Sequence, residues 1–171
     1  MYYLEYANKK DAKELYDLQK LAFLSEAEMM GSSQIPALME SYEDFLSDFD
    51  SWTVLGVRSR EGKLIGAVRY KKEGKKIEVG RLMVHPDWRN QGLASKMMKK
   101  VEQGADGDFF ELFTCTKSYS NIRLYESLGY KQEEVVDKGE ISLVYMRKEK
   151  EKKERIIFPG NPGNCIFEGS L

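Results

Sequence analysis

The chain is poor in the residues that build disulfide frameworks, metal clusters and membrane spans. It holds one histidine and two cysteines in 171 residues. Cys115 and Cys165 are too few for a disulfide scaffold or a cysteine metal site. No metal is therefore expected, and a reducing cytoplasm is the expected compartment. No apolar run reaches bilayer length, so no membrane role is expected. The opening "MYYLEYANKK" lacks the basic lead and apolar core of a signal peptide. Neither a Walker A loop nor a dinucleotide G-x-G-x-x-G is present, and no internal repeat is visible. Net charge is only −1, which argues against general nucleic-acid binding.

What charge there is lies unevenly. Residues 1–50 carry four lysines and eleven acids, net −7, while the remainder carries 23 basic and 17 acidic residues, net +6. Such a division suits two ligands of opposite charge. The length predicts one main domain with a core that needs no staples.

Periodicity predicts a mixed α/β layer fold with helices on both faces of the sheet. Tyr2 to Tyr6 reads as a strand. A helix follows over Asn8 to Met30, with Leu15, Leu18, Ala22 and Met29 near helical spacing and Asn8 or Asp11 as cap. "GSSQIP" breaks it, and "SYEDFLSDFD" reads as a short second helix. Strands are predicted over Trp52 to Arg58, Lys63 to Tyr70 and Lys75 to Val84, joined by the glycine turns "REGK" and "KEGK". Leu93, Met97 and Val101 at i, i+4 and i+8 predict a helix ending at Gly104, with Lys96, Lys99 and Lys100 on its other side. Then come a strand over Asp108 to Thr114, a helix in "SYSNIRLYESLG", and a hairpin of Tyr130 to Val136 with Glu140 to Arg147. Residues 148–171 form a tail, a solvated charge run followed by a Pro/Gly-rich stretch of disordered composition.

The stretch "VHPDWRNQGLASKMM" puts a glycine and exposed amides where a helix begins. Helix starts leave N–H groups unpaired and carry partial positive charge, so an anion fits there. Gly92 lets backbone approach closely, Arg89 adds a cation, Ala94 keeps the first turn small, and Asn90 tolerates left-handed geometry. The loop alone is also compatible with an ordinary strand–helix connection.

Arg89-x-x-Gly92-x-Ala94, directly after a strand ending "LMVHP", resembles the acyl-CoA loop of the GNAT superfamily of N-acetyltransferases. "NIRLYESLGY", Asn121 to Tyr130, resembles a second element of that family, and "IPALMESYEDFL" resembles the acceptor-side segment of its small bacterial members. Asn90 departs from the family pattern, where many members have glycine. The resemblance covers about residues 1–147, leaving 148–171 as a tail.

It implies a GNAT fold, a mixed sheet of six or seven strands splayed between the fourth and fifth. It also implies an acetyl-CoA-dependent N-acetyltransferase acting directly on a primary amine. The pyrophosphate is implied on the amides of Arg89, Asn90, Gln91, Gly92, Leu93, Ala94 and Ser95. The pantetheine is implied along Leu82, Met83 and Val84, with an N–H near Met83 or Val84 meeting oxyanion charge. Gly80 fits a bulge that helps the splay. Glu78 is implied as general base, and simple alternation puts it on one face with Gly80, Leu82 and Val84. Tyr125 is implied as general acid, and Asn121 either bonds the pantetheine or caps its helix.

His85 reads as a turn residue. Cys115 has no histidine partner in sequence view for a ping-pong route. Trp52 and Trp88 read as packing residues. The acids Glu26, Glu28, Glu40, Glu43 and Asp44 around "GSSQIP" suggest a small cationic amine as acceptor, though a solvated helix surface explains them as well. A non-catalytic acyl-CoA-binding sensor and a peptide N-terminal acetyltransferase are the alternatives, and a homodimer stays open.

Overall fold

The computed structural model describes residues 1–151 and the backbone of 154–156 and 167–169. β1 (Tyr2–Tyr6) leads into α1 (Ala12–Met30) through one 3-10 turn. Both predicted caps act together: the Asn8 side chain accepts from Lys10 N–H at 2.9 Å, and the Asp11 carboxylate accepts from Asn8 N–H at 2.9 Å. This capping box satisfies donors the first turn cannot. Gly31, at φ 67°, ends the helix.

α2 (Pro36–Met39) was not visible in the sequence pattern, being one turn long with Pro36 as its first residue. α3 (Tyr42–Asp48) starts at Ser41, whose hydroxyl accepts from Asp44 N–H. Three antiparallel strands follow, β2 (Thr53–Ser59), β3 (Leu64–Glu73) and β4 (Lys76–Val84). Their turns use Gly62 and Gly74 at φ 88° and 63°. Then come α4 (Leu93–Gly104), β5 (Phe109–Cys115), α5 (Tyr119–Ser127), β6 (Lys131–Asp137) and β7 (Ser142–Glu149).

These seven strands form one sheet in the order β1-β2-β3-β4-β5-β7-β6, with β4 and β5 its parallel pair. The seven-stranded GNAT-type sheet predicted above is what the chain builds. On one face, Leu93, Met97, Met98 and Val101 of α4 bury against Val57, Ile77, Val79 and Phe110. Each such side chain contributes about 1.5–3 kcal/mol. On the other face, Leu15 and Leu18 of α1 pack with Phe45, Phe49, Leu64 and Met83.

The tail lies mostly outside the described residues. Within it, β8 (Glu154–Ile156) and β9 (Phe167–Gly169) pair antiparallel as a separate two-stranded sheet. The tail's composition did not predict these strands.

Candidate active site

The sheet opens at its parallel pair. Only Lys76, Ile77 and Glu78 pair with β5, through Phe109, Phe110 and Glu111. Beyond them β4 runs to Val84 with no β5 partner, although β5 continues to Cys115. Backbone groups along this stretch of β4 thus face an opening rather than a neighbouring strand.

A bulge reshapes β4 at the opening. Arg69 pairs with Gly80 and Ala67 with Met83, so the one residue Val68 of β3 stands against two of β4, Arg81 and Leu82. Gly80 borders the bulge as expected, but the left-handed residue is Arg81, at φ 49°. One extra residue inverts the side-chain alternation beyond it. Ile77, Val79, Leu82 and Val84 all turn to the α4 side, while Met83 packs under α1. This corrects the simple alternation: Glu78 does not share a face with Leu82 and Val84. It shares the α1–α3 face with Met83 instead.

A cavity of about 470 Å³ occupies the opening. Its floor is Leu82, Met83 and Val84, and one wall is the loop and first turn of α4. Of the loop residues singled out from sequence, Arg89, Asn90, Gly92, Leu93, Ala94 and Ser95 line it; Gln91 does not. Asn90 takes φ 61° and Gly92 φ 78°, which turns the chain sharply into α4. Gly92 is the helix cap without a side-chain bond, and a Cβ added there would meet nothing within 4 Å. Among the described residues no acceptor takes the N–H groups of Gly92, Leu93, Ala94 or Ser95. With no acidic residue in that turn, the helix start is open to an anion. These are the features that would hold a pyrophosphate and an extended pantetheine arm.

Arg89 is placed differently from the phosphate-facing cation expected of it. Its guanidinium donates to Ser25 Oγ at 2.8 Å and to the Ala22 carbonyl at 2.9 Å. It therefore ties the loop to α1, because an arginine fork matches two acceptors one helical turn apart. His85 is the turn residue predicted, its Nδ1 accepting from Asp87 N–H at 3.1 Å. Trp88 packs at the cavity rim, and Trp52 packs elsewhere, donating to Asp48 at 2.8 Å.

The opposite wall is the start of α5. Asn121 lines it and donates to Thr114 Oγ1 at 3.4 Å. It sits inside α5 rather than at its cap, which is Ser118. Tyr125, one turn further on the same face, is buried behind that wall and meets Tyr130 edge-on at 6.0 Å between ring centroids. Burial, and then the charge of Glu26, pushes its phenol well above the ordinary tyrosine range. Glu78 is not among the lining residues; it lies half-buried, 3.8 Å from Lys71.

The sequence singled out Glu26 only as one of five acids bearing on acceptor charge, not as a half-buried group of the cavity wall. Glu26 lines the cavity from α1, and its carboxylate accepts from the buried Ser118 hydroxyl. Burial raises its carboxyl above the usual range, with the Ser118 hydrogen bond and Arg89 opposing. The signal was present: Glu26 falls four residues after Ala22 and four before Met30, a lone acid on the inward stripe of the helix. The Cys115 thiol is pushed up to about 11 by burial and then by Glu26. A thiol so held is a poor nucleophile at neutral pH. Among the described residues, no group of His, Cys, Asp and Glu side chains could hold a metal ion, and no helix is long and apolar enough to cross a membrane.

The family model for "Acetyltransferase (GNAT) family" matches residues 12–130. The chain belongs to the GNAT acetyltransferase family. It is 28% identical over 169 residues to the UPF0157 protein YqkA of Bacillus subtilis (strain 168), covering 97% of this chain and 48% of that protein. It thus spans about half the length of that curated relative. Its fold is shared with the ribosomal-protein-S18-alanine N-acetyltransferase of Escherichia coli, at TM-score 0.72 and 16% identity, over 92% of this chain and 99% of that one. It is shared equally with yncA of Salmonella typhimurium, an acetyltransferase solved with its cofactor acetyl-CoA, at TM-score 0.68 and 16% identity, over 96% and 99%.

Proposed function

We propose that this GNAT domain moves an acetyl group from acetyl-CoA directly to a primary amine. The observation that carries this reading is the continuity of the cavity. It joins the unpaired edge of β4 to the unpaired amides at the start of α4. An extended thioester with an anionic end needs both. Acetyl-CoA supplies the activated acyl group; the chain's residues position it and manage protons.

Leu82, Met83 and Val84 offer backbone groups to the arm, and the amides of residues 92–95 meet the pyrophosphate. An N–H near Met83 or Val84 meets negative charge developing on the acyl oxygen. Tyr125 stands on the thiol side. Its phenol holds its proton far more tightly than a thiol does, so it acts by donating a hydrogen bond to the leaving sulfur. Asn121 orients the arm in front of it.

Amide formation also needs a neutral amine. Glu78 takes that proton from the α1–α3 face. Glu26 is a second base, favoured by one specific observation: it is a carboxylate in the cavity wall itself. The two separate by pH profile. Glu78→Gln depresses activity most at low pH if Glu78 is the base, and Glu26→Gln does so if Glu26 is.

Of the five acids that suggested a cationic acceptor, Glu26 lines the cavity while bonded to Ser118, and Glu40 is turned onto Gln19. That leaves Glu28, Glu43 and Asp44 on the exposed surface, a weaker basis for that preference. A protein alanine as acceptor, as in the name of the E. coli neighbour, stays within the same reaction class. Thiol release from acetyl-CoA, followed with a panel of amines and confirmed by the mass of the product, tests the reading. Release with any primary amine supports it. A protein that binds acetyl-CoA and releases no thiol with any amine is the acyl-CoA sensor instead.

A further inference from the structure

On the α1–α3 face, beside the bulge in β4, two arginines lie without full partners. Arg69 pairs across the ladder with Gly80, and Arg81 follows in the bulge. The Nε groups of both are buried and have no hydrogen-bond partner among the described residues. Three carboxylates, Glu40, Asp48 and Glu78, lie near enough to oppose their charge, and each has a further partner. Asp48 accepts from the Trp52 indole at 2.8 Å, and Glu78 faces Lys71 at 3.8 Å. Glu40 accepts from Gln19 with one oxygen at 3.1 Å and forms an ion pair with Arg81 through the other at 3.7 Å.

Arg69 itself has no ion pair among the described residues. Its guanidinium stacks on the Trp52 ring at 4.1 Å, and Lys71 takes the same ring at 4.4 Å. Three cations thus share one patch with the carboxylates of Glu40, Asp48 and Glu78, and the two idle Nε–H groups are what remain unpartnered. Burial and the neighbouring Arg81 lower Arg69 to about 10, which still leaves it charged at neutral pH. A buried guanidinium with idle donors is costly unless something anionic meets it. Arg81 adds a second cost, since a long side chain rarely takes φ 49°. That backbone persists where it aims the residue at this patch.

We propose that Arg69 and Arg81 form a carboxylate-recognition site for the acceptor, so that the preferred amine carries its own carboxylate, as an amino acid does. The inference rests on the acetyl-transfer reading above. The placement fits it. Arg81 adjoins Leu82, which lines the cavity, and Met83 reaches the cavity from the same face of β4. Strand residues rise about 3.3 Å each. The two arginines lie beside the cavity rather than in its lining, with Arg81 one residue along β4 from Leu82. Planar arginine forks match carboxylates in two parallel hydrogen bonds. The five acids read from the sequence had suggested the opposite charge preference, and of these Glu26 lines the cavity.

The test compares a panel of α-amino acids, their matched amides and 1,4-diaminobutane. Wild type should show kcat/KM at least about tenfold higher for the best amino acid than for its amide or the diamine. Arg69→Gln should erase that gap by raising KM for the amino acid about 10- to 100-fold, the loss of one or two charge-assisted bonds. Its kcat, acetyl-CoA affinity and KM for the amide should hold within about twofold. Arg69→Lys should recover only part of the gap. Amide or diamine used as well as the amino acid by wild type would overturn the proposal while leaving acetyl transfer intact.

Absence of thiol release with every amine would instead count against acetyl transfer. The carboxylate site then stands or falls on wild-type protein loaded with CoA, which also serves if Arg69→Gln fails to fold. The two arginine Nε–H NMR signals should shift and saturate as the amino acids are added. Signals unmoved by any of them would overturn it.

Discussion

Replacing Gly92 by valine separates the anion-binding helix start from an ordinary turn. Gly92 sits at φ 78°, and a Cβ there would meet nothing within 4 Å. The folded protein therefore resists valine only through its backbone, at about 1–2 kcal/mol for a left-handed residue and somewhat more for a β-branched one. A protein of ordinary stability survives that. The bound phosphate does not escape so lightly. The new side chain stands in space open to the cavity, and the amides of Leu93 to Ser95 lose their approach. Losing one or two charge-assisted bonds costs roughly 2 kcal/mol or more, about 30-fold in Kd.

Gly62 supplies the control, because it has φ 88°, equally open space and a place in the β2–β3 turn. Gly62→Val should lose similar stability in chemical denaturation and keep its affinity. Calorimetric titration with acetyl-CoA reads the difference. Unchanged affinity in folded Gly92→Val, or an equal loss in Gly62→Val, would refute the argument that this loop holds the cofactor.

Three further outcomes are expected. Tyr125→Phe should lower kcat by about ten- to a thousandfold with acetyl-CoA affinity nearly unchanged; wild-type turnover across the pH range would remove Tyr125 from the chemistry. Glu26 has a raised carboxyl, so its contribution to stability is present at low pH and lost as pH rises through its folded pKa. Glu26→Gln, which can still accept from Ser118, should then raise Tm at pH 8 and give no gain at pH 4; an equal change at both would contradict the burial argument. Arg89→Lys keeps the charge and loses the fork that holds Ser25 and Ala22. It should cost about 1–3 kcal/mol in denaturation, whereas unchanged stability with weakened cofactor binding would return Arg89 to the phosphate.

The strand and helix order was legible because local signals agreed with one another. Glycine turns at Gly62 and Gly74, the period of Leu93, Met97 and Val101, and the Asn8–Asp11 caps each act within a few residues. α2 escaped because one turn carries no period, although Pro36 marked its start. The bulge was half visible. Gly80 pointed to it, but the residue that turns left-handed is Arg81, and nothing local distinguishes that arginine. The inversion it causes then moved Glu78 relative to Leu82 and Val84, which alternation could not foresee. Contacts across the fold were illegible for a simpler reason. Arg89 meeting α1 and Glu26 meeting Ser118 are set by how layers stack. No spacing in the chain encodes them.

The central claim is that the opening between β4 and β5, with the start of α4, holds acetyl-CoA. A crystal structure of the protein with CoA tests it most directly. The account predicts pyrophosphate oxygens within hydrogen-bond distance of the amides of residues 92–95. It also predicts the pantetheine arm paired with Leu82 to Val84 and the sulfur on the Tyr125 side. CoA bound elsewhere on the protein, with the amides at Gly92 to Ser95 untouched, would contradict it.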